Sequence, residues 1–234
     1  AGKTQALVKA VLELEALGAK PEEILVLTPS RLAANTLRDE IAANSAQAAS
    51  GPRARSVSSF AFSLLALKNP DLKLLSGASQ QALIANLISD ALAQKQNSAW
   101  GIDALTCELQ GFQNEVRDLM AVVVESQLSI EELENLKNQF PKTKLQVAID
   151  LIPHYRAALV EQNSLDPSEL LVQALGHLED VETYQYLLID DAQDLSPAAL
   201  DLVWEISKSA RTFIFGDPDA AVLGFRSGSD SFVG

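Results

Sequence analysis

Cysteine is almost absent from this chain. Cys107 is the only one in 234 residues, so no disulfide framework holds the fold, and a reducing compartment or indifference to redox state follows. Histidine is nearly as scarce. His154 and His177 fall in separate helical patterns with no Cys/His spacing of the zinc kind, and both read as surface or packing residues. No uninterrupted run of ~18 apolar residues exists, so no membrane-spanning helix is predicted. The basic, apolar and small-residue segments of a signal peptide are missing as well, and a cytoplasmic protein is expected. Excess positive charge is lacking: 18 Lys and Arg stand against 31 Asp and Glu, a net charge of −13. That argues against a non-specific nucleic-acid binder with a broad basic face. An initiator Met is also missing, and the opening Ala1-Gly2-Lys3-Thr4 is expected to be the start of a fragment. Apolar residues are not lacking. At 47% hydrophobic the chain is too apolar for global disorder and long enough for one large domain or two small ones.

The charge is uneven. Residues 1–78 carry nine Lys/Arg and seven Asp/Glu, residues 79–182 carry six and sixteen, and residues 183–234 carry three and eight. An acidic block therefore lies between two less charged ones, read most simply as a solvated helical face. The periodicity changes at the same places. Ile24-Leu-Val-Leu-Thr28 is a short apolar run of the buried-strand kind. Helical patterns flank it at 4–17 and 31–44, and a weaker strand at 53–58 leads into a short helix through Leu67. Residues 79–95, 103–124, 130–138, 143–162 and 167–180 read as helices without an intervening strand. Pro70, Gly77, Gly101, Pro141 and Pro167 punctuate them. Tyr186–Asp190 and Thr212–Gly216 return to strand patterns around a helix at 197–208. No internal repeat is present. The reading is an α/β fold with a parallel sheet, formed by 1–75 and 183–234, and an all-helical insertion at 76–182.

Two short patterns carry chemistry. Gly2-Lys3-Thr4 at a helix head matches the second half of a phosphate-binding loop. Backbone N–H groups hold phosphate oxygens, the lysine neutralises the β/γ-phosphates, and the hydroxyl ligates Mg²⁺. Alone, the tripeptide reads rather as a surface turn before a helix. Such a loop needs a carboxylate at the end of another buried strand, and Tyr186-Leu-Leu-Ile-Asp190-Asp191 supplies one, at the end of a strand where α/β sheets bind ligands. Gly216-Asp217-Pro218-Asp219, then Phe225-Arg226, forms a third element in the same order.

This ordered set resembles the UvrD/Rep/PcrA-type superfamily 1 DNA helicases. Ala1–Thr4 is similar to the end of motif I, and Ile24–Ser30 with Ala33, Ala34 and Leu37 to motif Ia. Ser56-Val-Ser-Ser-Phe-Ala-Phe62 resembles the family's Thr-Val-His-Ser-Phe-Ala-Phe segment. Leu165–Leu171 resembles its Asp-Phe-x-Asp-Leu-Leu stretch, Tyr184–Leu195 its motif II, and Gly216–Gly228 its motif III. Leu74–Gln80 is similar to a segment of actinobacterial helicase–nucleases of the AdnA/AdnB sort. The resemblance implies a RecA-like P-loop domain with a helical insertion, working with ATP and Mg²⁺ on single-stranded DNA in a setting such as DNA repair. A helicase–nuclease partner subunit is conceivable within that family. A second RecA-like domain normally completes the ATP cleft with arginines, so the isolated fragment is expected to be inactive.

The resemblance also assigns roles. Gly2, Lys3 and Thr4 bind nucleotide, and Thr4 and Asp190 hold Mg²⁺. Asp191 positions the attacking water, Gln193 senses the γ-phosphate, and Arg226 links the DNA site to the cleft. Asp194 caps the following helix. Thr28, Ser30, Ser56 and Ser59 contact DNA phosphates, while Phe60 and Phe225 stack on bases or pack; Phe62 packs. Trp100, Trp204 and Cys107 are expected in packed positions. The departures are Asp191 for Glu, Ala220 for Gln, Leu223 for Tyr, Ser227 for Gly, Ser58 for His and Pro29 for a stacking Phe. They favour an alternative in which the chain is a degenerate helicase-like subunit that binds DNA or a partner with little ATPase activity. A P-loop small-molecule kinase fits less well, because a long helical insertion separates Lys3 from Asp190.

Overall fold

The computed structural model describes residues 2–45, 54–95, 97–178 and 184–216. They fall in two compact units, Ala1–Lys68 with Gln173–Gly234, and Asn69–Val172.

The first unit opens with helix α1, Lys3–Ala16, whose Leu7, Val8, Val11 and Leu14 form one buried stripe. Strand β1, Ile24–Thr28, is buried at all five positions, as a central parallel strand covered on both faces must be. Helix α2, Arg31–Asn44, starts where the Ser30 side chain accepts a hydrogen bond from the Ala33 N–H at 3.1 Å. It buries Ala34, Leu37 and Ile41. A short strand β2, Ala54–Ser56, leads directly into helix α3, Val57–Lys68.

The second unit begins with β3, Lys73–Leu74, followed by α4, Gly77–Ala93, α5, Asn97–Trp100, and α6, Ala104–Glu108. It continues through α7, Gln110–Glu125, α8, Ile130–Gln139, α9, Lys144–Glu161, and β4, Ser164–Leu165, into α10, Pro167–Leu175. Its core joins Ile84 and Ile88 of α4, Trp100, Cys107, Phe112 and Val116 of α7, and Leu151 and Tyr155 of α9. The helical pattern expected over 103–124 divides at Leu109, whose extended backbone separates α6 from α7. Asp103 caps α6 by accepting the Thr106 N–H at 2.9 Å. α9 runs through Pro153, which removes one backbone donor from the helix without ending it.

The insertion is not purely helical. β3 and β4 pair in parallel, Lys73 with Ser164 and Leu74 with Leu165. The pairing is extended by Lys73 N–H to the Asn163 carbonyl at 3.0 Å and Leu75 N–H to the Leu165 carbonyl at 2.8 Å. Two residues are too few for a period-two pattern to register, so this pair is invisible to sequence reading. Asn69 and Asn163 also exchange side-chain hydrogen bonds at 2.8 and 3.3 Å. Next to them, buried Asp166 accepts from the Tyr155 hydroxyl at 2.9 Å, the Gln80 amide at 3.0 Å and the Glu169 N–H at 2.8 Å. One carboxylate thereby ties α4, α9 and α10 together. Burial and the charge of Asp166 push the Tyr155 phenol well above its ordinary range.

The chain then returns to the first unit with β5, Tyr186–Asp190, a turn of 3-10 helix at Ala192–Asp194, helix α11, Pro197–Ser207, and strand β6, Arg211–Phe215. The sheet has the order β2-β1-β5-β6 and is parallel throughout. Val26 lies beside both Ala54 and Leu188, and Asp190 beside Phe215. Leu7, Val11, Val26, Leu37, Ile41 and Leu188 make the core between sheet and helices. Trp100 packs as expected, 1% exposed and donating to Asp150 at 3.1 Å. Trp204 does not: it is 52% exposed. It sits beside a cavity of about 370 Å³ between α11 and β6, lined also by Leu200, Val203 and Ile214.

Candidate functional site

The head of α1 and the end of β5 meet. Gly2 stands at the helix N-cap with φ 111°, a left-handed conformation that side-chain-bearing residues rarely adopt. No side chain caps that helix, so its first-turn N–H groups remain available to an anion. Lys3 Nζ lies 3.0 Å from Asp191 Oδ1. Thr4 follows, partly exposed. Gly2, Thr4 and Gln5 line a cavity of about 490 Å³ with Thr36 and Glu40 of α2. Sequence reading missed the last three. Thr36 and Glu40, four apart on a helix, share a face, but nothing in the sequence aims that face at the α1 head.

β5 lies between β1 and β6, so Asp190 leaves the carboxyl end of an interior strand, and only 4% of it is exposed. Its Oδ1 is buried and has no hydrogen-bond partner. Burial pushes the Asp190 carboxyl above the usual carboxylate range, and the neighbouring Asp191 charge adds to this. The Asp191 N–H and the Lys3 ammonium oppose it. Asp191 itself takes φ 46°, which Asp tolerates better than most residues. Burial alone would raise its pKa, but hydrogen bonds from Lys3 and Gln193 outweigh that and hold the group below its ordinary value. Gln193 donates to Asp191 at 3.1 Å and to Asp194 at 3.4 Å. A Cβ on Gly216 would come within 2.8 Å of Gln193 Oε1, the flexible end of that side chain, so a larger residue after β6 would make Gln193 shift. Asp194 is not a helix cap. It belongs to the 3-10 turn and faces Gln193, while α11 begins at Ser196-Pro197. The Ser196-Pro197 start leaves the cap position two residues beyond Asp194, out of its reach.

This donor set suits a magnesium–nucleotide pair. Mg²⁺ is commonly held by one or two protein oxygens while phosphates and water fill its remaining positions. A buried carboxylate oxygen without a partner, as Asp190 has, suits that role. Among the described residues no cluster of three or more His, Cys, Asp or Glu exists, so the arrangement is not that of an all-protein metal cage.

The residues expected to meet DNA divide. Ser30 is exposed and Ser59 partly so. Thr28 is wholly buried, its hydroxyl donating to the Ser30 carbonyl at 2.8 Å, and Ser56 is buried, its hydroxyl accepting the Ser59 N–H at 3.2 Å. Both hydroxyls are engaged in shaping the turns after β1 and β2. Phe60 is 1% exposed. The Arg55 guanidinium lies 5.8 Å from its ring centre and Tyr184 meets it edge-on at 6.3 Å. With its ring enclosed, Phe60 packs in the core and has no face free for a base. Phe225 and Arg226 lie outside the described residues, as do Ala220, Leu223 and Ser227.

With this geometry in hand, the family model of the UvrD/REP helicase N-terminal domain matches residues 1–233. No curated protein matches the chain.

Proposed function

The chain belongs to the UvrD/REP helicase N-terminal domain family, and from that premise we propose that it is the ATP-handling part of a motor that moves along single-stranded DNA and unwinds duplex. The observation that supports this most directly is the Lys3–Asp191 contact at 3.0 Å beside the partnerless Asp190 oxygen. It joins the lysine expected to bind phosphate to the carboxylates expected to handle metal and water. Gly2 and the N–H groups of the α1 head would receive phosphate oxygens, and Lys3 would pair with the β/γ-phosphates. Thr4 and Asp190 would hold Mg²⁺, which offsets phosphate charge when bound. Asp191 would accept the proton of the attacking water, oriented by Gln193. For that, Lys3 must leave Asp191 for the phosphates, which frees the carboxylate. Ser30 and Ser59 would face DNA phosphates, and Arg226 would connect the two sites.

Binding of a fluorescent ATP analogue with and without Mg²⁺ tests this reading. Lys3→Ala should abolish binding, and Asp190→Asn should remove its Mg²⁺ dependence while leaving metal-free binding. Metal-independent binding by the unaltered chain would overturn the assignment.

A second reading is a degenerate helicase-like subunit that binds DNA or a partner and hydrolyses little ATP. The short side chain of Asp191, drawn toward Lys3, favours it. DNA-stimulated ATPase of the natural full-length protein separates the two, since a degenerate subunit gives no stimulation.

A further inference from the structure

Glu40 is partly buried on α2, and among the described residues its carboxylate has no ion pair and no hydrogen bond. Its neighbour Asp39, by contrast, pairs with Arg38. The backbone beneath Glu40 is held in place. Leu37 and Ile41, on either side of it along the helix, are buried in one core with Leu7 and Val11 of α1. The Asn44 amide also donates to the Glu40 carbonyl at 2.7 Å. The carboxylate lines the cavity of about 490 Å³ that Gly2, Thr4 and Gln5 of α1 share with Thr36. That volume falls within the range of about 300–1,000 Å³ usual for small-molecule sites.

The α2 wall of this cavity offers acceptors only. The Thr36 hydroxyl spends its hydrogen on the Leu32 carbonyl at 3.2 Å, so its remaining capacity is to accept. A carboxylate has no donor at all. Thr36 and Glu40 stand four apart and share a helix face. A group that meets this face must therefore donate hydrogen bonds. Phosphate oxygens cannot, and a carboxylate repels them. In the proposed function the phosphates belong to the α1 wall, at Gly2 and Thr4. The ribose follows the phosphates in a nucleotide, and its two adjacent O–H donors match the two oxygens of one carboxylate. An acidic side chain receiving a ribose hydroxyl is recurrent chemistry in nucleotide sites of α/β folds.

We propose that Glu40 binds the 2′- and 3′-hydroxyls of the nucleotide ribose and makes this chain prefer ribonucleotides to 2′-deoxyribonucleotides. This rests on the proposed function and deepens it, since it assigns the sugar to α2 where that reading assigns only the phosphates. Hydrogen bonds to a charged acceptor are the stronger kind. A site that bonds a hydroxyl disfavours the analogue lacking it, because its own polar group is then left unpaired. Glu40 is only partly buried, so water can replace the lost partner, which limits the preference to about 5- to 20-fold.

The test is isothermal titration calorimetry with Mg²⁺ and unlabelled ATP, 2′-deoxy-ATP and GTP, using the unaltered chain, Glu40→Gln and Glu40→Ala, with circular dichroism to check folding. The unaltered chain should bind ATP about 5- to 20-fold more tightly than 2′-deoxy-ATP. Glu40→Ala should lower ATP affinity to that of 2′-deoxy-ATP and leave the deoxy affinity in place. Glu40→Gln keeps one acceptor oxygen and should show an intermediate preference. The ratio of ATP to GTP affinity should be the same in all three proteins, because the base is not read by this contact. Equal binding of ATP and 2′-deoxy-ATP by the unaltered chain would overturn the proposal. So would a Glu40→Ala variant that shifts both affinities alike, which would mean a structural or purely repulsive role. A change in the ATP to GTP ratio would give Glu40 to the base and also overturn it. If the unaltered chain binds none of the three nucleotides, the functional reading fails and takes this contact with it.

Discussion

In the proposed role, Asp190 sets chemistry against stability. A carboxylate oxygen enclosed without a partner costs about 1–3 kcal/mol, and burial raises its pKa. Asp190→Asn should therefore raise the thermal midpoint of the nucleotide-free protein by several degrees at neutral pH, at about 2–4 °C per kcal/mol for a chain of this size. The sign with pH follows from linkage. With a folded-state pKa above the unfolded value of about 3.9, the folded form keeps its proton longer. Stability is then lost as pH rises from about 4 to the raised folded value. The midpoints of the two proteins should converge near pH 3 and separate as pH increases; calorimetry across pH 3–8 reads this, and a constant gap would contradict it. Asp191 behaves oppositely. Its pKa is lowered by Lys3 and Gln193, so its contribution is present above about pH 4 and fades on acidification through its lowered pKa. Being about one-third exposed, the pair contributes no more than about 1 kcal/mol. Asp191→Glu in the full-length protein should raise kcat with little change in KM if the shorter carboxylate sits too far from the water. It should also cost some stability, because the left-handed backbone at this position suits Asp better than Glu. Unchanged kcat in steady-state ATPase assays would mean that the site is fitted to Asp.

At the scale of elements, the paired strands β3 and β4 hold together two points of the chain that lie some ninety residues apart. Their stability comes from the side chains around them as much as from the few ladder bonds, since two-residue strands are marginal alone. The Asn69–Asn163 exchange is therefore expected to be energetically coupled. Asn163 also has φ 47°, which Asn favours among residues with side chains. Asn69→Ala should cost about 1 kcal/mol, and Asn163→Ala more, because it loses both the amide pair and the backbone preference. Asn163→Gly should recover the backbone part only. A double-mutant cycle by urea unfolding should give a coupling of about 0.5–1.5 kcal/mol, whereas strict additivity would mean that the amides do not stabilise one another.

Among the described residues, one core lies around the β sheet and another among the helices of Asn69–Val172. Each unit carries one of the two tryptophans, Trp100 buried in the helical core and Trp204 half-exposed outside the sheet core. Trp204→Phe leaves Trp100 as the reporter and should show a large red shift on unfolding. Trp100→Phe leaves Trp204, whose emission should change much less. Leu151→Ala opens a cavity in the helical core and should cost about 2–5 kcal/mol. The urea midpoint read by Trp100 should fall while that read by Trp204 stays in place. Equal shifts at both reporters would show that the chain unfolds as one cooperative body.

Several features could be read from the sequence because each rests on local pattern. Ile24–Thr28 and Tyr186–Asp190 announce buried parallel strands through unbroken apolar runs, and the long helices announce themselves by the spacing of their buried stripes. Gly-Lys-Thr and Asp-Asp nominate the residues of the proposed nucleotide site, because phosphate chemistry favours those types at a helix head and a strand end. Other features depend on what distant segments bring together, and only the tertiary structure decided them. Phe60 reads as either a stacking or a packing aromatic, and the approach of Arg55 and Tyr184, which encloses its ring, decides for packing. Trp204 reads as packed, yet it stands half-exposed on α11 beside the edge strand β6. The β3–β4 pair is too short to leave a period, and the break at Leu109 carries no glycine or proline to mark it. The ion pair that joins Lys3 to Asp191 spans most of the chain. Sequence spacing can nominate both partners, but the sheet order, which places β5 in its interior with the α1 head beside its end, is what sets them 3.0 Å apart.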